Sequence, residues 1–395
     1  MYTRVNPDLK KEIGKYGVQD WNECFHCGNC TALCPLTEDN ALFPRKAIRQ
    51  VQMGIKPQLD KNIDPWLCYY CGECSETCPR DANPGEIMMS LRRYLTATYD
   101  WTGLSRKFYT SKSWELIFVS AFGFLIIAMF MIFLPPAANL WGNPGAYLNE
   151  QGGVMINSLV TGVSSGDFIR TIEYIDWTMA GIVALLLISN LFVMFNRVIL
   201  SNHDVQVPFH AYFTEFWQLI WHFLTQAKFS KCDDKNYWFG HMLLMTGYTI
   251  MFTLIVVFLP EFQTEEVLPW YNWQRILGYY ATFGILFFLI RIAIRRYKKS
   301  DMKTRFSHPT DWLFIVMLGM TTVSGILIHI FRLSGLPVAT YWSFVIHMAV
   351  LVPMIMIEVP FSKWSHLAYR PFAIYFNRLI TYKTSSQKVP QLATI

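Results

Sequence analysis

Six long apolar runs decide what this chain can become. They fall near residues 114–134, 177–200, 238–260, 275–295, 311–333 and 338–361. Each is long enough to cross a hydrocarbon core about 30 Å thick as an α-helix. Lipid offers no water to free backbone groups, so such runs satisfy their own hydrogen bonds as helices. Composition agrees: 53% of the residues are hydrophobic and 16% are charged, where soluble domains carry about 25% charged residues. The expected fold is all-α, a small helical domain over 1–113 followed by a six-helix transmembrane bundle over 114–382. Residues 383–395 read as a disordered tail.

Charge sorts the two ends of these runs. The connections 135–176, 261–274 and 334–337 contain one basic residue, Arg170. The connection after the fourth run holds Arg295, Arg296, Lys298, Lys299, Lys303 and Arg305, and the tail adds Lys363, Arg370, Arg378, Lys383 and Lys388. Basic residues stay on the cytoplasmic side. Both termini are therefore expected in the cytoplasm, with the chain crossing the cytoplasmic membrane several times. The net charge of +6 is modest, and no nucleic-acid partner is expected. The connection near 208–228, VPFHAYFTEFWQLIWHFLTQAKFSKC, is aromatic but too polar to span, and suits a helix lying in the membrane surface.

Eight of the nine cysteines stand in two copies of one pattern, CFHCGNCTALCP at 24–35 and CYYCGECSETCP at 68–79. The opening residues MYTRVNPDLKKEIGKYG have no apolar core of a secretory signal. A reducing cytoplasm is expected, where clustered thiols bind metal rather than each other. The spacing C-x2-C-x2-C-x3-C-P lets three thiolates wrap one iron–sulfur cube while the fourth ligates the other cube. This predicts one [4Fe-4S] cluster on Cys24, Cys27, Cys30 and Cys78, and a second on Cys68, Cys71, Cys74 and Cys34. Gly28 and Gly72 give the backbone freedom beside the sulfides. Structural zinc takes two C-x2-C pairs set well apart, which is not this pattern. Helices are expected over LFPRKAIRQVQMG, with Gly54 past its end, and over NPGEIMMSLRRYLTATYDW. In the second, Asn83 is the expected cap and Ile87, Met88, Leu91 and Leu95 form the apolar stripe. Cys232, alone in KCDDK, reads as a buried filler.

The histidines divide by depth. His26, His203, His210 and His308 read as surface, interfacial or capping residues. An ionisable residue within a span is costly and is a functional candidate by default, and neutral imidazole is the usual axial ligand of b-type haem. His241 and His366 lie near the cytoplasmic ends of their segments and can flank an inner haem. His347 and His329 lie nearer the outer face and are the candidates for an outer haem. Nineteen residues separate His347 and His366, and on a straight helix they would point about 100° apart. Pro353 and Pro360 can bend the segment between them. A stack of haems ending at two cubes is an electron wire, whose natural small-molecule terminus is a lipid-soluble quinone. Arg332 is a candidate quinone contact or an anchor. His222 has no assigned role.

The paired Cys runs resemble the iron–sulfur C subunit of heterodisulfide reductases. The segments FGHMLLMTGY and IHMAVLVPMIMIEVPFSKWSHLAYRPF resemble the cytochrome b (gamma) subunit of respiratory nitrate reductases. In that family four histidines on two helices hold two b haems. His241, His347 and His366 fall at three of those positions, but Met251 stands where the fourth histidine would be. The fusion of both modules through YDWTGLSRKFYTSKSWE resembles the membrane subunit of quinone-interacting membrane-bound oxidoreductase complexes. That resemblance implies two haems b, two [4Fe-4S] clusters and menaquinone as substrate. It also implies soluble flavin/iron–sulfur partner subunits and a link to adenylylsulfate reductase. Two other functions compete. A heterodisulfide-reductase-like complex would act on thiols, but the family's disulfide site needs a Cys-Cys pair and none occurs here. A non-redox membrane anchor would show no haem response to menaquinol.

Overall fold

The computed structural model describes residues 4–17, 20–37, 42–111, 113–133, 139–161, 166–202, 205–259 and 264–387. Among them the chain is helical, and an isolated bridge between Leu148 and Val154 is the β-type pairing found. Six helices are long and apolar enough to cross a membrane: Trp114–Phe133, Glu173–Leu200, Lys235–Val256, Trp273–Lys298, Pro309–Leu333 and Pro337–Phe361. We call them the first to sixth spans. Their end beside the Cys runs is the near end, and the opposite end is the far end.

The N-terminal part is built on helices Leu9–Gly14, Arg45–Gln52 and Pro84–Tyr99. The expected stripe is fully covered: Ile87, Met88, Leu91 and Leu95 have no exposed surface. A helical face with 3.6-residue periodicity buries these four in one apolar cluster with Leu9, Ile13, Ile48 and Val51. Asn83 stands at the start of the third helix but does not cap it. Its backbone is left-handed (φ 44°), and its amide donates to Asp20 (2.8 Å) and to the Asp81 carbonyl (2.9 Å).

The core does not stop at residue 113. Trp66 and Tyr99 pack on Tyr369 of the closing helix His366–Gln387, with ring centroids 5.0 and 5.7 Å apart. Met194 and Val198 of the second span, together with Phe229, join the same apolar cluster. The small domain and the near end of the bundle thus share one core. The closing helix runs to Gln387, five residues into the stretch expected to be a tail, and 388–395 lie outside the described residues.

Within the bundle the third span packs along the fourth, and the fifth along the sixth. Gly284 permits the first contact: a Cβ there would stand 2.7 Å from the Leu243 carbonyl. Small residues let membrane helices approach this closely. The sixth span is not a regular helix throughout. After Pro353 it widens to a π-turn over Met354–Glu358 and ends at Phe361, and Ser362 breaks the backbone (φ −124°, ψ −148°). A proline withholds the N–H that an α-helix needs, so the ladder must rearrange there. The surface segment forms two helices, Phe209–Thr214 and Phe216–Thr225, rather than one. Phe209, Phe213, Trp217 and Trp221 are exposed on them.

A buried ionic clasp closes the joint between the two parts. Asp311, at the start of the fifth span, meets Arg93 (3.4 Å), Arg296 (3.6 Å) and Lys363 (2.5 Å). Arg93 also meets Glu86 (3.2 Å), which accepts from the Tyr70 hydroxyl (2.7 Å). His308 caps the same helix: its Nδ1 accepts from the Thr310 N–H (3.3 Å). Removing one partner of a buried ion network leaves the others uncompensated, at about 3–5 kcal/mol. Asp311→Asn is therefore expected to lower the stability of the detergent-solubilised protein by about that amount. A thermal melt unchanged from wild type would show that the clasp contributes nothing.

Candidate redox centres

The two Cys runs fold alike, residue for residue. His26 and Tyr70, two positions after the first cysteine of each run, are left-handed (φ 60° and 55°). Gly28 and Gly72, two further on, are left-handed as well (φ 88° and 97°) and start the one-turn helices Asn29–Ala32 and Glu73–Glu76. Such alternation turns successive N–H groups to one side, a concavity that suits an anion. Backbone donors reach sulfur: the Tyr70 N–H bonds Cys68 Sγ (3.3 Å) and the Ala82 N–H bonds Cys78 Sγ (3.4 Å).

The thiols group across the runs. Cys30 lies within electrostatic reach of Cys24, Cys27 and Cys78. The same four line one recess beside Arg45 and Arg80. Cys34 lies within reach of Cys68 and Cys71, and Cys74 is near both of those. Burial pushes the Cys30 and Cys34 thiols up to about 11. Iron bound there must displace those protons, since the thiolate is the ligand. Eight soft donors in two sets of four fit two iron–sulfur cubes.

The two groups differ in exposure. Cys27 is exposed, and Phe25 beside it is 68% exposed with the Arg80 guanidinium 4.2 Å from its ring centre. Cys68 and Cys74 are buried. The Cys68 carbonyl accepts from Arg370 (3.4 Å), whose guanidinium lies 4.4 Å over Tyr69. Tyr69 stacks on Phe229 with centroids 4.9 Å apart. The first group thus faces outward and the second faces the bundle. His26 bonds Gln52, which in turn donates to the Trp21 and Cys24 carbonyls (2.6 and 3.0 Å). That places His26 as a brace on the first run.

His241 and His366 come together at the near end. His241 sits between the rings of Phe229 and Phe288, each 5.7 Å away, and its buried Nδ1 has no hydrogen-bond partner. His366 Nδ1 bonds the Lys363 carbonyl (2.6 Å), which requires the proton on Nδ1 and leaves Nε2 as a lone pair. Burial first, then the Arg370 charge, hold the His366 imidazole well below its usual range, and His241 lies among its electrostatic neighbours. A neutral imidazole with a fixed Nδ1–H is the form that ligates iron. An orphaned ring nitrogen on one histidine and a neutral imidazole on its neighbour are a donor set that fits a haem.

The far-end candidates are not joined. His347 Nδ1 bonds Ser324 Oγ (2.9 Å), whereas His329 Nε2 bonds the Tyr279 hydroxyl (2.9 Å) on the fourth span. Arg332 bonds main-chain carbonyls of Val154 (3.1 Å), Thr264 and Glu266 (3.2 Å), so it ties the far-end loops together. His210 bonds Tyr382 (2.9 Å), His222 is buried on the Phe216–Thr225 helix, and His203 lies outside the described residues.

Cys232 holds a place that its isolation in the sequence does not suggest. It is 1% exposed, and its Sγ, Cys71 Sγ and a Glu73 carboxylate oxygen lie within 4.8 Å of one another. The signal available is its position, nine residues before His241 in the lead-in to the third span.

Residues 20–82 match the family described as 4Fe-4S dicluster domain. Over 79 residues the chain is 40% identical to the C2 subunit of the H(2)/formate:CoB-CoM heterodisulfide,ferredoxin reductase of Methanococcus maripaludis, covering 20% of this chain and 42% of that protein. Over 83 residues it is 39% identical to an iron–sulfur subunit of the CoB–CoM heterodisulfide reductase of Methanocaldococcus jannaschii, covering 21% and 44%. The chain thus spans less than half the length of these curated relatives. No solved structure matches it. The N-terminal part is an iron–sulfur electron-transfer domain related to the iron–sulfur C subunit of heterodisulfide reductases. Six helices able to cross a membrane follow it.

Proposed function

We propose that the chain is the membrane electron-transfer subunit of a quinone-linked oxidoreductase complex. Electrons pass between menaquinone, two b haems, two [4Fe-4S] clusters and soluble flavin/iron–sulfur partner subunits, with a link through them to adenylylsulfate reductase. The packing of the second Cys run against the end of the bundle that holds His241 and His366 carries this reading. Iron–sulfur cubes and haem iron supply one-electron carriers when bound. Cys24, Cys27, Cys30 and Cys78 would hold one cube, and Cys68, Cys71, Cys74 and Cys34 the other. His241 and His366 would hold the inner haem, and His347 the outer one, with His329 as its candidate partner.

The chain's own residues give the wire its order. Arg370 places a positive charge between the second Cys group and His366, where it favours added electrons on either side. Tyr69 stacks on Phe229, whose ring lies 5.7 Å from that of His241. The exposed edge at Phe25 and Cys27 is where a soluble partner would meet the wire. Arg332 remains the candidate for quinone contact at the far end. The basic residues from Arg295 to Arg305 support a cytoplasmic near end, with both termini on that side.

Adding a menaquinol analogue to membranes that contain the intact complex should reduce low-spin b-type haem and then cubane signals. Absence of haem, or haem that ignores the quinol, would sink the wire. The names of the curated relatives favour a second function, in which the complex acts on disulfides through its partners. In that case a disulfide substrate, rather than menaquinone, would reoxidise the reduced clusters.

A further inference from the structure

The ninth cysteine lies against the second Cys group and is not needed to complete it. Cys232 Sγ lies within 4.8 Å of Cys71 Sγ. Its loop is fixed from several sides. The Cys232 N–H donates to the Phe229 carbonyl (3.1 Å), and the Cys232 carbonyl accepts from Lys235 Nζ (3.0 Å). The Asp233 N–H donates to Glu73 Oε1 (3.2 Å), which comes from the second Cys run itself. Asp234 caps the third span through the Tyr237 N–H (3.0 Å) and is held by Lys303 (2.7 Å) and Arg295 (3.4 Å). These contacts hold the backbone from which the thiol projects.

We propose that the Cys232 S–H donates a hydrogen bond to the Cys71 sulfur and thereby sets the reduction potential of the second cluster. The inference rests on the assignment of a cube to Cys68, Cys71, Cys74 and Cys34. A thiol is a weak donor, but its acceptor here is a metal-bound thiolate in a buried site. Hydrogen bonds to cluster sulfur stabilise the more negative, reduced state and so raise the potential. The same loop carries Phe229, which touches both Tyr69 and His241. The donor therefore acts on the cluster that faces the inner histidine pair and leaves the outward one untouched.

The test is a redox titration, followed by EPR, of the intact complex with wild-type, Cys232→Ala and Cys232→Ser chains, with iron counted per chain. Alanine should keep the wild-type iron content and shift the midpoint of one cluster to a more negative value, leaving the other unmoved. Serine, which keeps a donor, should hold that midpoint at the wild-type value or above. Loss of half the iron in the alanine variant would make Cys232 a ligand and overturn the proposal, and so would unmoved midpoints in both variants. A wild-type protein lacking two cubane signals would overturn the cluster assignment itself, and the hydrogen bond with it.

Discussion

Cys34→Ser is expected to destroy the cluster built on the other Cys run. The Cys34 thiol has Cys68 and Cys71 as its sulfur neighbours, whereas Cys30 has Cys24, Cys27 and Cys78. Cys34→Ser and Cys68→Ser should therefore erase the same EPR signal, and Cys24→Ser and Cys78→Ser the other. Iron should fall from about eight to about four per chain in each case, at four irons per cube. The effect on folding should also be large. Asn29–Ala32 and Glu73–Glu76 are single helical turns, far below the length at which a helix persists alone. Metal binding then supplies folding energy that these turns lack. If Cys34→Ser instead erased the signal lost in Cys24→Ser, each run would be closed on itself and the crossed ligation would be wrong.

Much of this architecture is legible in the amino-acid sequence. The first apolar run, at 114–134, becomes the span Trp114–Phe133, and the fifth, at 311–333, becomes Pro309–Leu333. Continuous apolar runs leave little freedom, because length and hydropathy together set where a helix crosses. Differences arise where polarity and helicity part company. The second run starts at 177, but its helix begins at Gly166, since Asp167, Glu173 and Asp176 carry no hydropathy signal although the backbone continues. The sixth run reads as a bendable span, and the structure widens it to a π-turn after Pro353, breaks it at Ser362 and starts a new helix at His366. His347 and His366 therefore do not share one straight helix.

Contacts between distant segments are not legible. Asp311 meets Arg93 across 218 residues, and Arg370 meets Cys68 across 302. No periodicity announces such pairs, because each residue alone is an ordinary charge on a helix. Cys232 reads as filler for the same reason. Its meaning lies in Cys71, which the fold brings to it from another part of the chain. The repeated Cys pattern, by contrast, carries its expected ligand sets in its own spacing. The pairing of His329 with His347 rests on depth alone, and the structure gives each ring a different partner.

His366→Ala is expected to remove the inner haem and leave the outer one in place. The ring is set by its own segment. The break at Ser362 and the short turn Lys363–Ser365 deliver it to the start of the closing helix, and the Lys363 carbonyl fixes its tautomer. Lys363 is itself held by Asp311 at 2.5 Å, so the ionic clasp and the proposed haem site share a support. Asp311→Asn should therefore loosen haem retention only in part, while loss of the imidazole removes the bond to iron. Haem measured as pyridine haemochrome should fall from about two to about one per chain, from the two haems proposed. His241→Ala should cause the same loss, because it removes the ring on the other side, and His347→Ala should remove the other haem. Added imidazole should restore the inner haem to His366→Ala, since the cavity left by the ring admits it and a neutral imidazole is all the iron needs. If both haems persist in His366→Ala, this histidine is not a ligand, and the joint between the second Cys group and the bundle must carry electrons by some other route.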